Sequence, residues 1–147
     1  MSDPDAVVVG SGPNGLAAAI VLARAGCRVT VLEGSTAIGG GVRSEALTRP
    51  GFVHDVCSAI HPFAVASPFF RSLPLADHGL SWVVPDAMAA HPMDDGPPIV
   101  VHRSIEQTAA GLGQDARAYE RLMKGLVEDW PKLESSVLGP LDRKSVV

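Results

Sequence analysis

Asp5-Ala6-Val7-Val8-Val9-Gly10-Ser11-Gly12-Pro13-Asn14-Gly15-Leu16 is the stretch whose reading decides the fold. Its first half is a short, β-branched, almost wholly apolar run, the pattern of a parallel strand covered on both faces. From Asn14 to Ala25 the chain turns Ala- and Leu-rich, with Leu16, Ile20 and Ala23 on one side and Gly26 as a stop, which predicts a helix. Arg28 to Glu33 is a second β-branched apolar run and predicts a second buried strand. Strand, helix and strand then fit within about 30 residues, as a right-handed crossover unit requires.

Gly10-Ser11-Gly12-Pro13-Asn14-Gly15 is G-x-G-x-x-G at the junction of the predicted strand and helix. Each glycine has its own physical task there. Gly10 permits a tight turn, Gly12 lets backbone approach a pyrophosphate, and Gly15 lets helix and strand pack closely. The amides around Pro13 and Asn14 lie at the positive end of the helix dipole, where a diphosphate is favoured. Glu33 ends the second strand, 18 residues past Gly15, where a carboxylate accepts hydrogen bonds from both hydroxyls of an adenosine ribose and repels a 2'-phosphate. The predicted fold class is α/β with a Rossmann-like βαβ unit, and the cofactor choice narrows to FAD or NAD.

Beyond this unit the signals weaken. Gly34 to Pro50 holds Gly34, Gly39, Gly40 and Gly41 among polar residues, irregular backbone of the kind kept for ligand loops. Pro62, Pro68, Pro74 and Pro85 read as chain breakers, leaving Ser81 to Val84 and Ile99 to His102 as short strands. Asp95-Gly96, between Met88 to Met93 and Pro98 to His102, resembles a hairpin turn. Ser104-Ile105-Glu106-Gln107 matches a capping box and predicts a short helix to Ala110. Tyr119, Leu122, Met123, Leu126, Trp130 and Leu133 recur at helical spacing, and this stripe is read as core packing in preference to a substrate channel. Trp130-Pro131 should kink or restart that helix.

Composition excludes several classes of function. Of the 147 residues, 46% are hydrophobic and 19% charged, the make-up of a globular domain. The net charge of -4 comes from scattered residues without a Lys/Arg run, so no nucleic-acid partner is expected. Leu16 to Ala23 is the longest strongly apolar stretch, far short of the roughly 20 residues that span a bilayer. The acidic start, Met1 to Asp5, is unlike a secretory signal, and a cytoplasmic location is expected. Cys27 and Cys57 form neither a C-x-x-C pair nor a metal-ligand cluster; both read as inert thiols, and no metal site is predicted.

Taken together, Val7 to Leu16, Leu32-Glu33, Ile38-Gly39-Gly40-Gly41-Val42-Arg43-Ser44 and Pro50-Gly51-Phe52-Val53-His54-Asp55 resemble the opening of the phytoene dehydrogenase-related flavoproteins, of the pyridine nucleotide-disulfide oxidoreductase domain-containing protein 2 type. The resemblance runs from Asp5 to about Leu138. It implies an FAD/NAD(P)-binding fold followed by the start of an α+β substrate domain, with FAD as cofactor. By resemblance Gly39, Gly40 and Arg43 join Gly10, Gly12, Pro13, Asn14, Gly15 and Glu33 as cofactor-binding residues. Asp55 and His54 are read as loop supports in preference to groups facing the flavin. The implied reaction is hydride removal from a small apolar, isoprenoid-like substrate, or oxidation of a related C-C or C-N bond, with FAD as acceptor, and no catalytic residue is assigned in this segment. Peripheral membrane contact is compatible with such a substrate.

A complete relative would carry a second glycine-rich cofactor motif and a full substrate domain. The chain is therefore expected to be a truncated amino-terminal fragment of an enzyme. Residues 1–60 are assigned to the FAD-binding domain and residues 61–141 to the start of the substrate domain. Residues 142–147, which break the amphipathic pattern and can be encoded by a string resembling sequencing-adapter DNA, are read as a non-native tail. Two other readings stand beside this one: a stand-alone adenine-dinucleotide-binding module without turnover, and an NAD-binding dehydrogenase fragment.

Overall fold

The structure, a computed structural model, describes residues 3–139; the predicted tail at 142–147 lies outside the described residues. The chain divides into two compact units, one ending at His61 and the other beginning at Pro62.

In the first unit, β1 (Ala6–Val9) pairs in parallel with β2 (Val29–Leu32), in the register Ala6 to Val29 through Val9 to Leu32. Between them runs α1 (Pro13–Arg24), which starts with proline in its first turn, where the ring's fixed φ suits the helix and its missing amide costs nothing. At its end the Gly26 amide donates to the Ala23 carbonyl and the Cys27 amide to the Leu22 carbonyl, the paired bonds of a Schellman stop. Arg28 donates from Nε and Nη2 to the two carboxylate oxygens of Asp5, at 3.0 and 2.8 Å, and staples the far end of the strand pair.

One expectation for this unit is corrected. The strands are covered on one face only: Ala6, Val8, Val29 and Val31 are half-buried on the side of α1, while Val7, Val9, Thr30 and Leu32 are exposed. An apolar run with period-two burial results because a single crossover helix covers a single face. After β2 the chain runs through a tight turn at Gly40–Val42 and a two-residue antiparallel pair, β3 (Ser44–Glu45) with β4 (His54–Asp55).

The second unit holds α2 (Pro62–Ala66), α3 (Pro68–Arg71), β5 (Ala87–His91), β6 (Ile99–His102), α4 (Ile105–Ala110), α5 (Ala116–Glu128) and α6 (Trp130–Leu138). Pro62 and Pro68, read as breakers, instead begin helices, the position at which a proline's missing amide is harmless. Ser81 to Val84 forms no strand, and Val83 is 88% exposed. The strand that pairs with β6 is β5, with His91 opposite Ile99 across the Asp95-Gly96 turn. Ser81 to Val84 has no partner ladder for its backbone groups, and Pro85 cuts off extension into β5.

Ser104 caps α4 as expected: its hydroxyl accepts from the Gln107 amide at 3.2 Å. The Gln107 side chain does not return the bond, and the Ser104 hydroxyl donates to Glu106 instead. The buried Thr108 accepts from the His102 amide at 2.9 Å and ties α4 to the end of β6. The chain restarts between α5 and α6 at Asp129, ahead of Pro131. The core reading of the apolar stripe is only partly met. Tyr119 and Met123 are half-buried, but Leu122, Leu126, Trp130 and Leu133 are exposed, the three leucines lining an open trough between α5 and α6.

Candidate functional site

The turn from β1 into α1 shows a separate reason for each glycine. Gly10 has φ of +95°, a backbone conformation open to glycine, and its amide donates to the Leu32 carbonyl at 2.7 Å, so the turn closes against the end of β2. A Cβ on Gly15 would lie 2.1 Å from the Gly10 carbonyl oxygen, so helix and strand meet too closely for any side chain. Gly12 is different: a Cβ there would meet only the Gly40 Cα at 4.0 Å. Nothing within the described fold demands glycine at that position.

Helix α1 begins at Gly12 without a capping side chain. Its first intrahelical bond runs from the Leu16 amide to the Gly12 carbonyl at 2.9 Å. Pro13 has no amide to offer, and among the described residues the amides of Gly12, Asn14 and Gly15 have no protein acceptor. Three aligned donors at the positive end of a helix dipole form an anion-binding concavity.

Glu33 follows β2 and faces this turn. Its Oε2 accepts from the Ser11 amide at 2.8 Å and from the Ser11 hydroxyl at 2.5 Å, and its Oε1 accepts from the Ser35 amide at 2.9 Å. Hydrogen bonds from the Ser11 hydroxyl first, then from the Ser11 and Ser35 amides, hold the carboxyl down to about 2, against an ordinary value of 4.5. A carboxylate has about four lone-pair sites; three are taken, so one site on Oε1 is open. The carboxylate therefore keeps acceptor capacity on Oε1 beside its bond from Ser35.

The second glycine segment is drawn to the first. The Gly39 amide donates to the Ser11 carbonyl at 3.1 Å and to its hydroxyl at 3.4 Å. A Cβ on Gly40 would lie 3.0 Å from the Gly12 Cα, so the two backbones run in near contact. Arg43 donates from Nε to Glu45 at 2.5 Å and from Nη1 to the Gly40 carbonyl at 3.1 Å. It clamps the turn on which it sits and keeps further guanidinium donors unengaged. Gly10, Gly12, Pro13, Asn14, Gly15, Glu33, Gly39, Gly40 and Arg43 therefore gather around one turn. Asp55 accepts from the Ser44 hydroxyl at 2.9 Å and His54 bonds Thr48 at 2.7 Å, so both support the loop.

Sequence reasoning missed three participants. Ser11 is 1% exposed and stands at the centre of the network; as the variable residue of the motif it carries no pattern weight. Ser35 acts through its amide, which no pattern reveals. Glu45 could have been found, because residues two apart on extended backbone share a side.

Residues 8–73 match the family model described as NAD(P)-binding Rossmann-like domain. A limonene dehydrogenase subunit from Castellaniella defragrans is 30% identical over 108 residues, 74% of this chain and 19% of that protein. Hydroxyneurosporene desaturase of Cereibacter sphaeroides is 35% identical over 127 residues, 80% of this chain and 25% of that protein. An L-amino-acid oxidase of Echis ocellatus is 54% identical over 48 residues, 33% of this chain and 10% of that protein. The turn geometry and the family match together define a Rossmann-like dinucleotide-binding segment. The relatives it matches include dehydrogenases, desaturases and oxidases, the hydroxyneurosporene desaturases among them. It spans about a fifth to a quarter of the length of the first two relatives. Among the described residues no helix is long and apolar enough to cross a membrane.

Proposed function

We propose that this chain is the cofactor-binding segment of an FAD-dependent oxidoreductase and that the whole protein removes hydride from a small apolar substrate. The observation that carries the cofactor reading is the bare start of α1, where the amides of Gly12, Asn14 and Gly15 have no protein acceptor and the Gly12 position has no side chain in the way. The residues fit an ADP-containing cofactor. Gly12, Pro13, Asn14 and Gly15 would hold the diphosphate, Glu33 a ribose hydroxyl, and Gly39, Gly40 and Arg43 the stretch beyond.

FAD, when bound, supplies the hydride-accepting ring. The chain's own residues bind, orient and exclude water. The glycine pair after Glu33 favours FAD over NAD, and the names of the relatives, a limonene dehydrogenase and a hydroxyneurosporene desaturase, support an apolar substrate. We assign the second unit to the start of a substrate domain. The setting we propose is cytoplasmic, which suits the two free thiols, Cys27 and Cys57.

The test is to mix the purified chain with FAD, desalt it and record the visible spectrum, with NAD+ and NADP+ as competitors. Retained flavin absorbance, displaced by ADP but not by NADP+, is the expected result. Tight NAD+ binding with no retained flavin would overturn the FAD assignment in favour of an NAD-binding dehydrogenase.

A further inference from the structure

Ser11 fills the variable position of the glycine motif, yet it is buried to 1% exposure and touches all three segments of the site. Its amide and hydroxyl both donate to Glu33 Oε2, and its hydroxyl and carbonyl both accept from the Gly39 amide. A serine hydroxyl has one proton and two lone pairs. Here the proton is committed to the carboxylate at 2.5 Å, and a lone pair faces Gly39 at 3.4 Å, so the hydroxyl cannot turn without losing a partner. Glu33 is fixed in consequence: Oε2 is filled, and Oε1 keeps one open lone pair beside its bond from Ser35.

We propose that Ser11 is the positioning residue of the ribose site, orienting the Glu33 carboxylate so that one Oε1 lone pair is presented to a single ribose hydroxyl, and joining the Gly39 segment to the motif turn. The ligand side of this assignment rests on the dinucleotide reading above; the Ser11–Glu33 coupling does not.

The first readout needs no ligand. Carbon-detected NMR follows the Glu33 side-chain carboxyl of the full chain through a pH titration. Ser11→Ala should move its midpoint up from about 2 toward the ordinary 4.5, whereas Ser35→Ala, which keeps the donating amide, should leave it in place. If Ser11→Ala disturbs the fold, Ser11→Cys keeps the shape with a weak donor and should shift the midpoint the same way. An unchanged midpoint in the substituted chain overturns the proposal. The second readout is a double-mutant cycle on FAD binding: Ser11→Ala should weaken binding about tenfold, the scale of a hydrogen bond to a charged group, and should have little further effect in a Glu33→Gln background. Independent, additive losses would also overturn it. A wild-type chain that binds neither FAD nor ADP would defeat the dinucleotide reading, and the titration would still decide the coupling.

Discussion

Replacing Gly15 with alanine tests the closest backbone approach in the site. The added Cβ would sit 2.1 Å from the Gly10 carbonyl oxygen and 3.1 Å from its carbon, with Val8 Cγ1 at 3.6 Å behind. Since real Cβ contacts essentially never fall below 3.0 Å, the start of α1 must withdraw from β1 by roughly 0.9 Å. The obstacle is backbone on both sides, so no side chain can rotate away. Overpacking of this kind costs about 1–3 kcal/mol. A loss near 2 kcal/mol is roughly a 30-fold rise in the population of open states. The assay is native-state amide exchange at Gly10, whose amide is bonded to the Leu32 carbonyl at 2.7 Å. Gly12→Ala is the control, because its Cβ meets only Gly40 Cα at 4.0 Å; it should leave exchange nearly unchanged while abolishing FAD retention. If Gly15→Ala leaves Gly10 exchange within about twofold of wild type, a change worth under 0.5 kcal/mol, the close-approach reasoning is wrong.

Other substitutions carry the same logic elsewhere. Gly125→Ala, in the interior of α5 with nothing within 4 Å of the added carbon, should stabilise the second unit by about 0.5–1 kcal/mol, read as a higher urea midpoint. Ser104→Ala removes the cap on the Gln107 amide and should cost about 1 kcal/mol in the same assay. The acid limb of stability draws on carboxyls held below their ordinary values, Glu106 among them; the two tied to the first unit's strand pair are Glu33, at about 2 through its bonds from Ser11 and Ser35, and Asp5, lowered by Arg28. Both bind protons more weakly folded than unfolded, so their contribution is complete above about pH 4.5 and is lost as the pH falls toward 2. Urea midpoints of the Glu33→Gln, Asp5→Asn double variant should be flatter across that window than those of wild type; an equally steep decline would remove these two groups as its cause.

The fold was legible where a local pattern and its partner lay close together. The run Ala6 to Val9, the glycine turn and the run Val29 to Leu32 fit one crossover, and the predicted helix at Asn14 to Ala25 differs from α1 by one residue at each end. The Asp95-Gly96 hairpin was legible for the same reason: turn chemistry sits between the two segments it joins. Ser81 to Val84 failed because propensity describes a segment alone, while a strand exists only where another strand accepts its backbone bonds. The prolines at 62 and 68 failed in the opposite sense: a proline that ends one helix can equally begin another, and the choice between the two is made by the residues on its carboxyl side.

The site divides along the same line. Residues whose type is forced by backbone geometry, Gly10 through φ and Gly15 through contact, announce themselves, because few other residues can stand there. Residues that act through a side chain on a distant segment do not, since Ser11 fits its turn as well as alanine would and gains its role only when Glu33, 22 positions on, is brought beside it. Gly12 completes the contrast. The described fold gives no internal reason for its glycine, so the requirement must come from whatever approaches the amides beside it. A position constrained by nothing among the described residues, at the start of a helix with donors unpartnered there, is the point at which the chain is shaped for something beyond them.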